Sequence, residues 1–443
     1  MKNKTKTAEN NYIKIALLGY GLDNQALLEL LEKNNAPVEI TICDAREKEN
    51  LPKIKTKNIK INYQLGKSFN RDLEKFSLLF RSPGWPINCS GISSALKKGK
   101  TKMSSPLNLF FSLCPSKNII GVTGTKGKGT TVTLIYKTLL ANKKTSGKNV
   151  FLGGNIGISP LSFLSKIRPV DYVVLELSSF QLEDLKYSPK ISVITNLVKE
   201  HLAPADPNNP NYHTSLKKYW KAKLNIAASK ENKYLIINES LKNQIRLEKL
   251  SGKIIYFSES SLPSKLKGNY NKQNIAAAVA VAKLLKIKPE IYKKVIANFK
   301  NLEHRLEFVA EINGVKYFDN SFSTTPESTI LDLQSFKEPL VQIAGGADKG
   351  ADFKALAREI KNKVKFLILL PGKATPKIMQ ELLKINFPKN KYQEVKDMKE
   401  AVLLAKQKSD SGDVVLLSTA CASFGIFKNY KERGDLFKTY VKR

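Results

Sequence analysis

Short runs of apolar residues recur along the chain, and most of them end in a loop of glycine or polar residues. Such runs, when turn residues bound them, are typical of strands that are buried on both faces of a parallel sheet. Between them lie longer segments with helical periodicity, and this alternation predicts an α/β fold. The predicted strands are Lys14–Leu18, Glu39–Cys43, Leu78–Phe80, Tyr172–Leu177, Ser192–Asn196, Leu340–Ala344, Val364–Leu370 and Asp413–Ser418.

The last third of the chain restarts the pattern. The segments Glu307–Ile312 and Val315–Asp319 flank Asn313-Gly314, a dipeptide that favours a two-residue hairpin turn. Strands that alternate with helices follow, so this part predicts a second doubly wound domain. Shortly before it, Asn271–Leu285 has the alanine-rich composition of a strong helix.

The segment Asn118–Leu140 predicts a strand, a glycine-rich loop and a helix in succession. Glycines let the loop backbone approach a ligand closely, and amide N–H groups of the loop and the helix N-terminus then point at one anion. Lys128 occupies the place from which a P-loop lysine reaches the outer phosphates of a nucleotide. The spacing is G-x-x-G-x-x-G-K, and Gly129 follows where a P-loop has Ser or Thr. A plain surface turn is the alternative, but the flanking strand and helix favour a nucleotide site.

A second glycine turn follows the first predicted strand. Gly19 and Gly21 begin a G-x-G-x-x-G pattern, but Asn24 stands in place of its third glycine. Asp44 ends the next strand, roughly where a dinucleotide fold places its ribose carboxylate, and Ser82–Gly84 follows the third strand. Ligands of such sheets bind outside the carboxyl ends of the strands, so these loops predict a diphosphate or nucleoside pocket. A tight β–α turn without a ligand is the alternative.

Five side chains after the glycine-rich loop are candidates for metal or nucleotide chemistry. Glu176 lies in an apolar strand, where a carboxylate is costly unless it is paired or bound to a metal; a strand-end residue that reaches solvent is the alternative. His201, one of three histidines, follows a strand on the edge that carries the phosphate loop. Lys223 lies on a helix with an apolar side, which by itself indicates nothing. Asn271 and Asn274 share one helix face, as ligand contacts or as N-capping residues.

The formal net charge is +35, from 74 basic and 39 acidic residues. Proteins that bind nucleic acids or membrane surfaces carry such an excess, but here the basic residues are scattered without a stripe or a basic tail. We interpret them as solvated surface residues and expect neither a nucleic acid nor a membrane partner. The four cysteines form no C-x-x-C pair, which argues against a metal or disulfide framework and fits a reducing compartment. The sequence contains no signal-peptide pattern and no apolar run of membrane length, so we expect a cytoplasmic protein.

Nine motifs, taken in order, resemble those of the Mur ligases, and the resemblance extends along the whole chain. They are GTKGKGTT, GGNIG, ELSSFQL, TNLVKEHL, YWKAK, NYNKQNIAAA, HRLE, GGADKG and ACASFGIFKNYKERGDLF. The last motif resembles the signature of the member that adds D-glutamate. The resemblance implies three domains: a Rossmann-like domain that binds the UDP-linked substrate (1–115), a central P-loop-type α/β domain that binds ATP and magnesium (116–302), and a Rossmann-like α/β domain that binds the amino acid (303–443).

The resemblance also implies an activity and a role for individual residues. The activity is the ATP-dependent addition of D-glutamate to UDP-N-acetylmuramoyl-L-alanine through an acyl phosphate, carried out by a monomer during peptidoglycan precursor synthesis. The UDP-linked substrate would contact Gly19, Tyr20, Gly21, Leu22, Asp44, Arg46, Ser82, Pro83, Gly84, Asn155, Ser178 and Gln181. ATP would contact Gly124, Thr125, Lys126, Gly127, Lys128, Gly129, Thr130, Asn271, Asn274, Arg305, Asp319 and Asn320. Mg2+ would bind Glu176, His201, Thr130 and a carbamylated Lys223. The catalytic residues would be Lys128, Glu176, His201 and Lys223. D-Glutamate would contact Thr324, Lys349, Ser423, Phe424 and Tyr430.

The chain departs from the family pattern at several of these positions. Gly129 replaces the hydroxyl residue that usually ligates magnesium, and Lys126 replaces an asparagine. The sequence KEH, which contains Glu200, replaces an aspartate-containing motif before the histidine, and Phe322 replaces a lysine. These departures concern a second magnesium site and the nucleotide contacts. The nearest alternative is another Mur or folylpolyglutamate-type amide ligase with a different amino acid. A nicotinamide oxidoreductase and a non-catalytic nucleic-acid-binding protein are alternatives of other classes.

Overall fold

The computed structural model describes residues 12–54, 56–202, 211–245 and 250–443. Its strands are β1 Ile13–Leu18, β2 Val38–Asp44, β3 Lys60–Leu65, β4 Leu78–Arg81, β5 Lys102–Ser104, β6 Ile119–Thr123, β7 Val150–Gly154, β8 Tyr172–Glu176, β9 Ile191–Ile194, β10 Tyr234–Asn238, β11 Lys253–Phe257, β12 Glu307–Ile312, β13 Val315–Asp319, β14 Leu340–Ala344, β15 Val364–Leu369, β16 Tyr392–Glu394 and β17 Val414–Leu417. Its α-helices are α1 Leu22–Lys33, α2 Ser90–Lys97, α3 Pro106–Leu113, α4 Lys128–Ala141, α5 Lys143–Ser146, α6 Ser179–Leu182, α7 Leu216–Leu224, α8 Tyr270–Leu284, α9 Pro289–Asn298, α10 Pro326–Leu333, α11 Lys354–Lys363, α12 Thr375–Lys384, α13 Met398–Lys408 and α14 Tyr430–Lys442.

The chain forms two compact units. The first consists of Met1–Ser258 with Ala280–Lys286, and the second of Glu259–Val279 with Ile287–Arg443. The division passes through α8, whereas the predicted central domain contains this helix whole. Among the described residues, no helix combines the length and the apolar character that a membrane span requires.

The first unit contains two fully parallel sheets. One has the strand order β3-β2-β1-β4-β5, and the other has the order β11-β10-β9-β6-β8-β7. The central strands β6, β8 and β9 are almost completely buried, because helices cover both faces of such a sheet. Their loops therefore meet at one edge, where the strands' carboxyl ends lie.

The second unit contains a sheet of order β12-β13-β17-β14-β15-β16, parallel except for the β12–β13 pair. The predicted hairpin is confirmed, and its residue ranges agree with β12 and β13. Asn313 and Gly314 have φ angles of 51° and 76°, the left-handed conformation that a two-residue hairpin turn of this hand requires. The alternating pattern thus gives an α/β fold throughout, as predicted.

The strands that the sequence did not predict lie mostly at sheet edges. They are β3, β5, β7, β10, β11 and β16, of which only β10 is internal. In β3 no residue is fully buried, and its sequence KINYQL mixes polar with apolar residues. An edge strand needs no continuous apolar run, because one of its sides faces solvent, and its pattern is correspondingly weak.

Candidate functional site

A cavity of about 520 Å³ lies in the first unit, at the carboxyl ends of β1, β2 and β4 and beside β7 and α6. We call it the nucleotide-sugar cavity, after the ligand that the sequence predicts for its loops. It is lined by all of the residues predicted to contact the UDP-linked substrate except Ser178, namely Gly19, Tyr20, Gly21, Leu22, Asp44, Arg46, Ser82, Pro83, Gly84, Asn155 and Gln181. Ser178 instead caps α6, where it exchanges hydrogen bonds with Gln181. The structure therefore brings together loops that are distant in sequence around a single cavity.

Asp44 lies at one end of this cavity, where several hydrogen-bond donors hold its carboxylate. It accepts hydrogen bonds from the Tyr20 amide at 2.8 Å and from Arg46 Nη2 at 2.8 Å and Nε at 2.9 Å. Burial alone would raise the pKa of Asp44, but these donors hold it below its ordinary value. The carboxylate is thus kept charged and fixed in orientation before any ligand binds.

Asn24 explains how the first glycine turn manages without a third glycine. Its side chain is fully buried, and Nδ2 donates to the carbonyl oxygen of Gly19 at 2.7 Å and of Phe80 at 3.2 Å. Gly19 has a φ of 80°, and a Cβ atom there would collide with the Ser82 hydroxyl. The amide of Asn24 thus holds two loops of the cavity together, a contribution that the missing glycine did not suggest.

Arg81 is a buried residue directly before the cavity-lining loop Ser82–Gly84, and the sequence analysis missed it. Nε donates to Asp184 Oδ2 at 2.8 Å, Nη1 to the Trp85 carbonyl at 2.9 Å and Nη2 to the Phe180 carbonyl at 2.8 Å. These bonds join the loop after β4 to the segment around α6, so they fix the two walls of the cavity to each other. The argument used for Glu176, that a charge inside an apolar strand needs a partner, would also have found this arginine.

The phosphate loop lies between β6 and α4 and contacts the segment that follows β9. Gly124 has a φ of 144°, and a Cβ atom there would fall on the Thr195 hydroxyl. The Lys126 amide donates to Asn196 Oδ1 at 2.8 Å, and Asn196 Nδ2 returns a bond to the Lys126 carbonyl at 3.0 Å. These contacts fix the conformation of the loop against the segment after β9, and Gly127, with a φ of 81°, leads it into α4.

Two lysines converge on one carbonyl of this loop. Lys128 Nζ donates to the carbonyl oxygens of Gly124 and Thr125 at 3.0 and 2.9 Å, and Lys223 Nζ donates to the Gly124 carbonyl at 2.7 Å. Lys223 comes from α7 and is only 2% exposed. Burial, assisted by the charge of Lys128, lowers the pKa of Lys223 well below its ordinary value. A neutral amine is therefore accessible at this position.

Glu176, at the end of β8, is 2% exposed, which excludes the solvent-facing alternative. Oε1 accepts a hydrogen bond from Asn155 Nδ2 at 3.0 Å, whereas Oε2 has no hydrogen-bond partner among the described residues. Its charge acts on Lys223, whose pKa it raises against the effect of burial. A buried carboxylate oxygen without a donor is unfavourable unless a cation is bound there.

His201 and its neighbour Glu200 lie beside the phosphate loop. His201 has a φ of 59°, and burial, with the charges of Lys223 and Lys128, lowers its pKa although Glu200 opposes this. Glu200 Oε1 accepts a hydrogen bond from Lys126 Nζ at 2.8 Å. Lys126 and Glu200 are both departures from the family pattern, and the structure shows that they are partners of each other. Thr130 lies half-buried on the first turn of α4.

In the second unit, the predicted nucleotide residues lie around the end of β13. Asp319 is fully buried and accepts hydrogen bonds from His304 Nδ1 at 2.7 Å and from the Ser321 amide at 2.8 Å. The guanidinium of Arg305 stacks on the Phe322 ring at 3.7 Å, so the aromatic residue that replaces a lysine has a defined role here.

The remaining nucleotide candidates of this unit form amide contacts. Asn320 Nδ2 donates to Asp332 Oδ2 at 2.7 Å, and Asn274 Nδ2 donates to Asn271 Oδ1 at 2.8 Å. Asn271 lies inside the first turn of α8 and donates to the Lys267 carbonyl at 2.6 Å. Its side chain thus donates to the preceding loop and accepts from Asn274 within the helix.

The predicted D-glutamate residues follow the carboxyl ends of β13, β14 and β17. Lys349 Nζ lies 5.9 Å from the centre of the Phe424 ring, and Tyr430 meets Phe322 edge to face at 5.1 Å. Ser423 is buried, whereas Thr324 is half-buried. These loops are joined by a bond of 3.2 Å from the Thr419 hydroxyl to the Ser323 carbonyl.

Arg433 is a second buried arginine that the sequence analysis missed. It donates to Ser321 Oγ at 2.9 Å, to the Ser321 carbonyl at 2.7 Å and to the Cys421 carbonyl at 3.1 Å. Burial lowers the pKa of Arg433 to about 10. Its bonds tie α14 to the loops after β13 and β17, and so fix the loop that carries Ser423.

Two family models match the chain: the Mur ligase middle domain over residues 122–262, and the glutamate ligase domain of Mur ligases over residues 304–421. The chain is 36% identical to the UDP-N-acetylmuramoylalanine--D-glutamate ligase of Acetivibrio thermocellus and 35% identical to that of Clostridium tetani; each match covers 97% of this chain and 96% of the relative.

Solved structures of similar fold include two from Thermotoga maritima. The UDP-N-acetylmuramate-alanine ligase MurC matches with a TM-score of 0.57 and 17% identity over 98% of this chain and 99% of its own. The MurF ligase, solved in complex with ADP, matches with a TM-score of 0.57 and 15% identity over 98% of this chain and 97% of its own. At these identities the likeness concerns the fold alone.

Proposed function

The chain belongs to the Mur ligase family, and we propose that it joins D-glutamate to UDP-N-acetylmuramoyl-L-alanine in an ATP-dependent, amide-forming reaction. The observation that carries this proposal is the 36% identity, over 97% of the chain, to a relative named for that activity. The C-terminal motif ACASFGIFKNYKERGDLF supports it, because it resembles the signature of the D-glutamate-adding member. We expect the reaction to take place in the cytoplasm, where ATP and UDP-sugars are available, and the enzyme to act as a monomer.

The nucleotide-sugar cavity suits the UDP-linked substrate. Its volume of about 520 Å³ lies within the range of small-molecule sites. Asp44 and Arg46 would hold the uridine end, and the amides after Gly19 would face the diphosphate. Asn155, Ser178 and Gln181, near the second sheet, would then lie toward the muramoyl and alanyl end.

The residues around the phosphate loop fit Mg2+, which prefers oxygen ligands. The fit rests on Glu176 Oε2, a buried carboxylate oxygen that lacks a partner among the described residues. Glu176, His201, Thr130 and the carbamate of Lys223 would hold the ion, although Gly129 lacks the usual hydroxyl. Bound there, the ion would neutralise charge that develops on the transferred phosphoryl group.

Lys223 has the chemistry that carbamylation requires. The lowered pKa makes its neutral amine accessible, and the nitrogen lone pair can attack the carbon of CO2. Loss of one proton from the nitrogen then leaves a carbamate, so that a buried cation becomes an anion. This conversion would also remove the repulsion between Lys223 and Lys128.

The reaction we propose has two steps, both of which develop negative charge. The alanyl carboxylate first attacks the γ-phosphorus of ATP, expels ADP and forms an acyl phosphate. The D-glutamate amine then attacks the carbonyl carbon of this acyl phosphate, loses a proton and expels phosphate. Lys128 and the loop amides would stabilise the charge by fixed electrostatics. In the second unit, Asn271, Asn274, Arg305, Asp319 and Asn320 would contact ATP, while Thr324, Lys349, Ser423, Phe424 and Tyr430 would contact D-glutamate.

The direct test of this proposal is phosphate release from ATP with UDP-N-acetylmuramoyl-L-alanine and one amino acid at a time. We expect turnover with D-glutamate and little with L-glutamate, L-alanine or a diamino acid. The wrong enantiomer would leave a carboxylate without its donors, which is costly in a site built on hydrogen bonds. Equal turnover with both glutamates, or a preference for L-alanine, would leave the ligase chemistry standing but favour the other amide ligases.

The metal ligation can be tested separately. Lys223→Ala should lose most activity and should recover part of it when a small carboxylate, such as acetate or formate, is added. Lys221→Ala, on the same helix, is the matched control and should keep its activity. Full activity of Lys223→Ala in bicarbonate-free buffer would exclude a carbamate at this position.

A further inference from the structure

Asp23 lines the nucleotide-sugar cavity, one residue beyond the segment that the family resemblance assigns to the UDP-linked substrate. It lies in the first turn of α1. Its Oδ2 atom is 3.5 Å from Gln181 Nε2, a residue of the opposite wall, and Ser159 adjoins it as well. Asp23 thus faces the part of the cavity where the loops of both sheets of the first unit meet.

Two aspartates line the cavity, and they differ in how completely hydrogen-bond donors satisfy their carboxylate oxygens. Asp44 accepts hydrogen bonds from Arg46 and from the Tyr20 amide, all shorter than the 3.5 Å contact between Asp23 and Gln181. Asp23 has the long contact to Gln181 and the neighbouring Ser159, and burial raises its pKa above the ordinary value. A half-satisfied carboxyl group in a cavity is stabilised when a ligand supplies a donor.

Ser159 is the second residue of this argument. Its hydroxyl is buried, with the residue 6% exposed, and lies near Asp23, whose pKa it lowers, but no hydrogen bond of acceptable geometry joins it to a described residue. It lines the same cavity as Asp23. A ligand hydroxyl placed between them can donate to the carboxyl group and accept from Ser159, whereas a phosphate oxygen cannot donate at all.

We propose that Asp23 determines specificity for the sugar part of the UDP-linked substrate, by accepting a hydrogen bond from a hydroxyl group of the sugar while Ser159 donates to the oxygen of the same hydroxyl. The proposal rests on the proposed function, which supplies a UDP-sugar as the ligand. A diphosphate would be repelled by this carboxyl group, so the donor must come from a neutral part of the ligand. The position next to Gln181, on the wall assigned to the muramoyl end, agrees with a sugar contact.

Calorimetric binding of two ligands, without ATP or amino acid, tests this inference. The ligands are UDP and UDP-N-acetylmuramoyl-L-alanine, and the proteins are the wild type, Asp23→Ala, Asp23→Asn and Ser159→Ala. Loss of a hydrogen bond to a charged group should weaken binding of the sugar-containing ligand about 10- to 100-fold in Asp23→Ala. Asp23→Asn keeps the shape and one acceptor oxygen, so its loss should be smaller. UDP binding should stay the same or become tighter in both variants.

Glu29→Gln is the matched control, because Glu29 is an exposed acidic residue on the same helix and does not line the cavity. It should bind both ligands like the wild type. Equal weakening of UDP and of the sugar-containing ligand in Asp23→Asn would show a general structural role and overturn the inference. Unchanged binding of the sugar-containing ligand in Asp23→Ala would overturn it as well.

The experiment separates this inference from the proposed function. A wild-type protein that binds UDP-N-acetylmuramoyl-L-alanine no more tightly than UDP would contradict the proposed substrate itself, before any variant is measured. Tight wild-type binding that the variants leave intact would contradict Asp23 alone. Since no amino acid is present, a different amino-acid specificity would affect neither result.

Discussion

The residues around the phosphate loop and the D-glutamate candidates of the second unit, apart from the buried Ser423, differ in how much of their surface is exposed. Around the phosphate loop, Glu176 and Lys223 are each 2% exposed and held by other residues of the first unit. In the second unit, Phe424 is 39% exposed, and Lys349 and Tyr430 are half-buried. Glu176 and Lys223 are therefore held in place before ligands bind, whereas Phe424, Lys349 and Tyr430 remain partly accessible to solvent.

This difference has consequences for how each region acts. Charges that are fixed in a site of low dielectric need not reorganise when the reaction develops charge, so such groups contribute mainly to the rate. Half-exposed side chains become ordered and desolvated only when the ligand arrives, and so they contribute mainly to its binding. Substitutions near the phosphate loop should thus change turnover and stability, while substitutions of the exposed D-glutamate candidates should change the KM for the amino acid.

Lys128→Ala should have the largest effect. This lysine donates to two loop carbonyls and lies at the start of α4, where a phosphate would be held. Removal of one preorganised donor to developing charge costs roughly 10²- to 10³-fold in turnover. The measurement is phosphate release at saturating substrates, with the exposed Lys144→Ala as the control. A variant with near-normal turnover would contradict the nucleotide site.

The buried histidine of the first unit should make its stability depend on pH. The His213 side chain is 1% exposed, stacks on Phe180 at 4.8 Å, and burial lowers its pKa to about 4. As pH falls below about 6.5, His213 binds a proton in the unfolded chain, whereas in the folded protein it does not bind one until the pH reaches about 4. Stability should therefore decline across this window, by up to about 3 kcal/mol from this residue.

Both tryptophans of the chain, Trp85 and Trp220, belong to the first unit, so their fluorescence during urea unfolding follows that unit. His213→Gln, which retains a group able to bond the Ser179 hydroxyl, should flatten the decline between pH 6.5 and 4. His201→Gln is the comparison, and its effect should be smaller because the His201 side chain is 40% exposed. If the free energy of unfolding of His213→Gln declined with falling pH as steeply as that of the wild type, His213 would not be the source of the decline.

The sequence predicted the parts of the structure that depend on local pattern. Buried strands in parallel sheets are continuous apolar runs, and loops that hold phosphates need glycine, so both can be recognised in one segment. The hairpin at Asn313-Gly314 is a similar case, because the turn type alone requires those residues. Edge strands such as β3 lack a strong pattern, and they were missed.

The sequence could not predict pairings between segments far apart. The bond from Lys126 to Glu200 joins residues 74 positions apart, and that from Arg81 to Asp184 joins residues 103 positions apart. Lys126 and Glu200 alone suggest only departures from a motif, and their partnership follows from strand order, which brings the loops after the neighbouring strands β6 and β9 to one edge. Arg81 alone calls for a partner, but Asp184 follows a strand of the other sheet, and no local pattern points to it. Arg433 and the role of Asn24 were missed because their partners Ser321 and Phe80 are likewise distant in the sequence.

Lys349→Met should separate binding from rate in the second unit. The ammonium of Lys349 is the cation that we expect to meet a carboxylate of D-glutamate, and methionine keeps most of the apolar stem. Loss of such a charged hydrogen bond should raise the KM for D-glutamate about 10- to 100-fold, with a smaller change in kcat. Lys354→Met, at an exposed position of the same unit, is the control. A large fall in kcat with an unchanged KM would show that this region acts on the rate, against the comparison made above.

The smallest effect on activity is expected from a substitution of Gly129. It tests whether the phosphate-loop region already supplies a hydroxyl ligand for Mg2+. Gly129 is buried in the first turn of α4, and its carbonyl accepts a hydrogen bond from the Thr133 hydroxyl at 2.8 Å. If the chain lacks a hydroxyl ligand for Mg2+ there, Gly129→Ser should lower the half-saturating magnesium concentration about threefold, less than 1 kcal/mol. If Thr130 supplies that ligand instead, Thr130→Ala should raise the magnesium requirement while Gly129→Ser leaves it unchanged. The double variant Gly129→Ser, Thr130→Ala decides between these cases. Its magnesium requirement should return to that of the wild type only if the introduced serine hydroxyl and the Thr130 hydroxyl can reach the same coordination position.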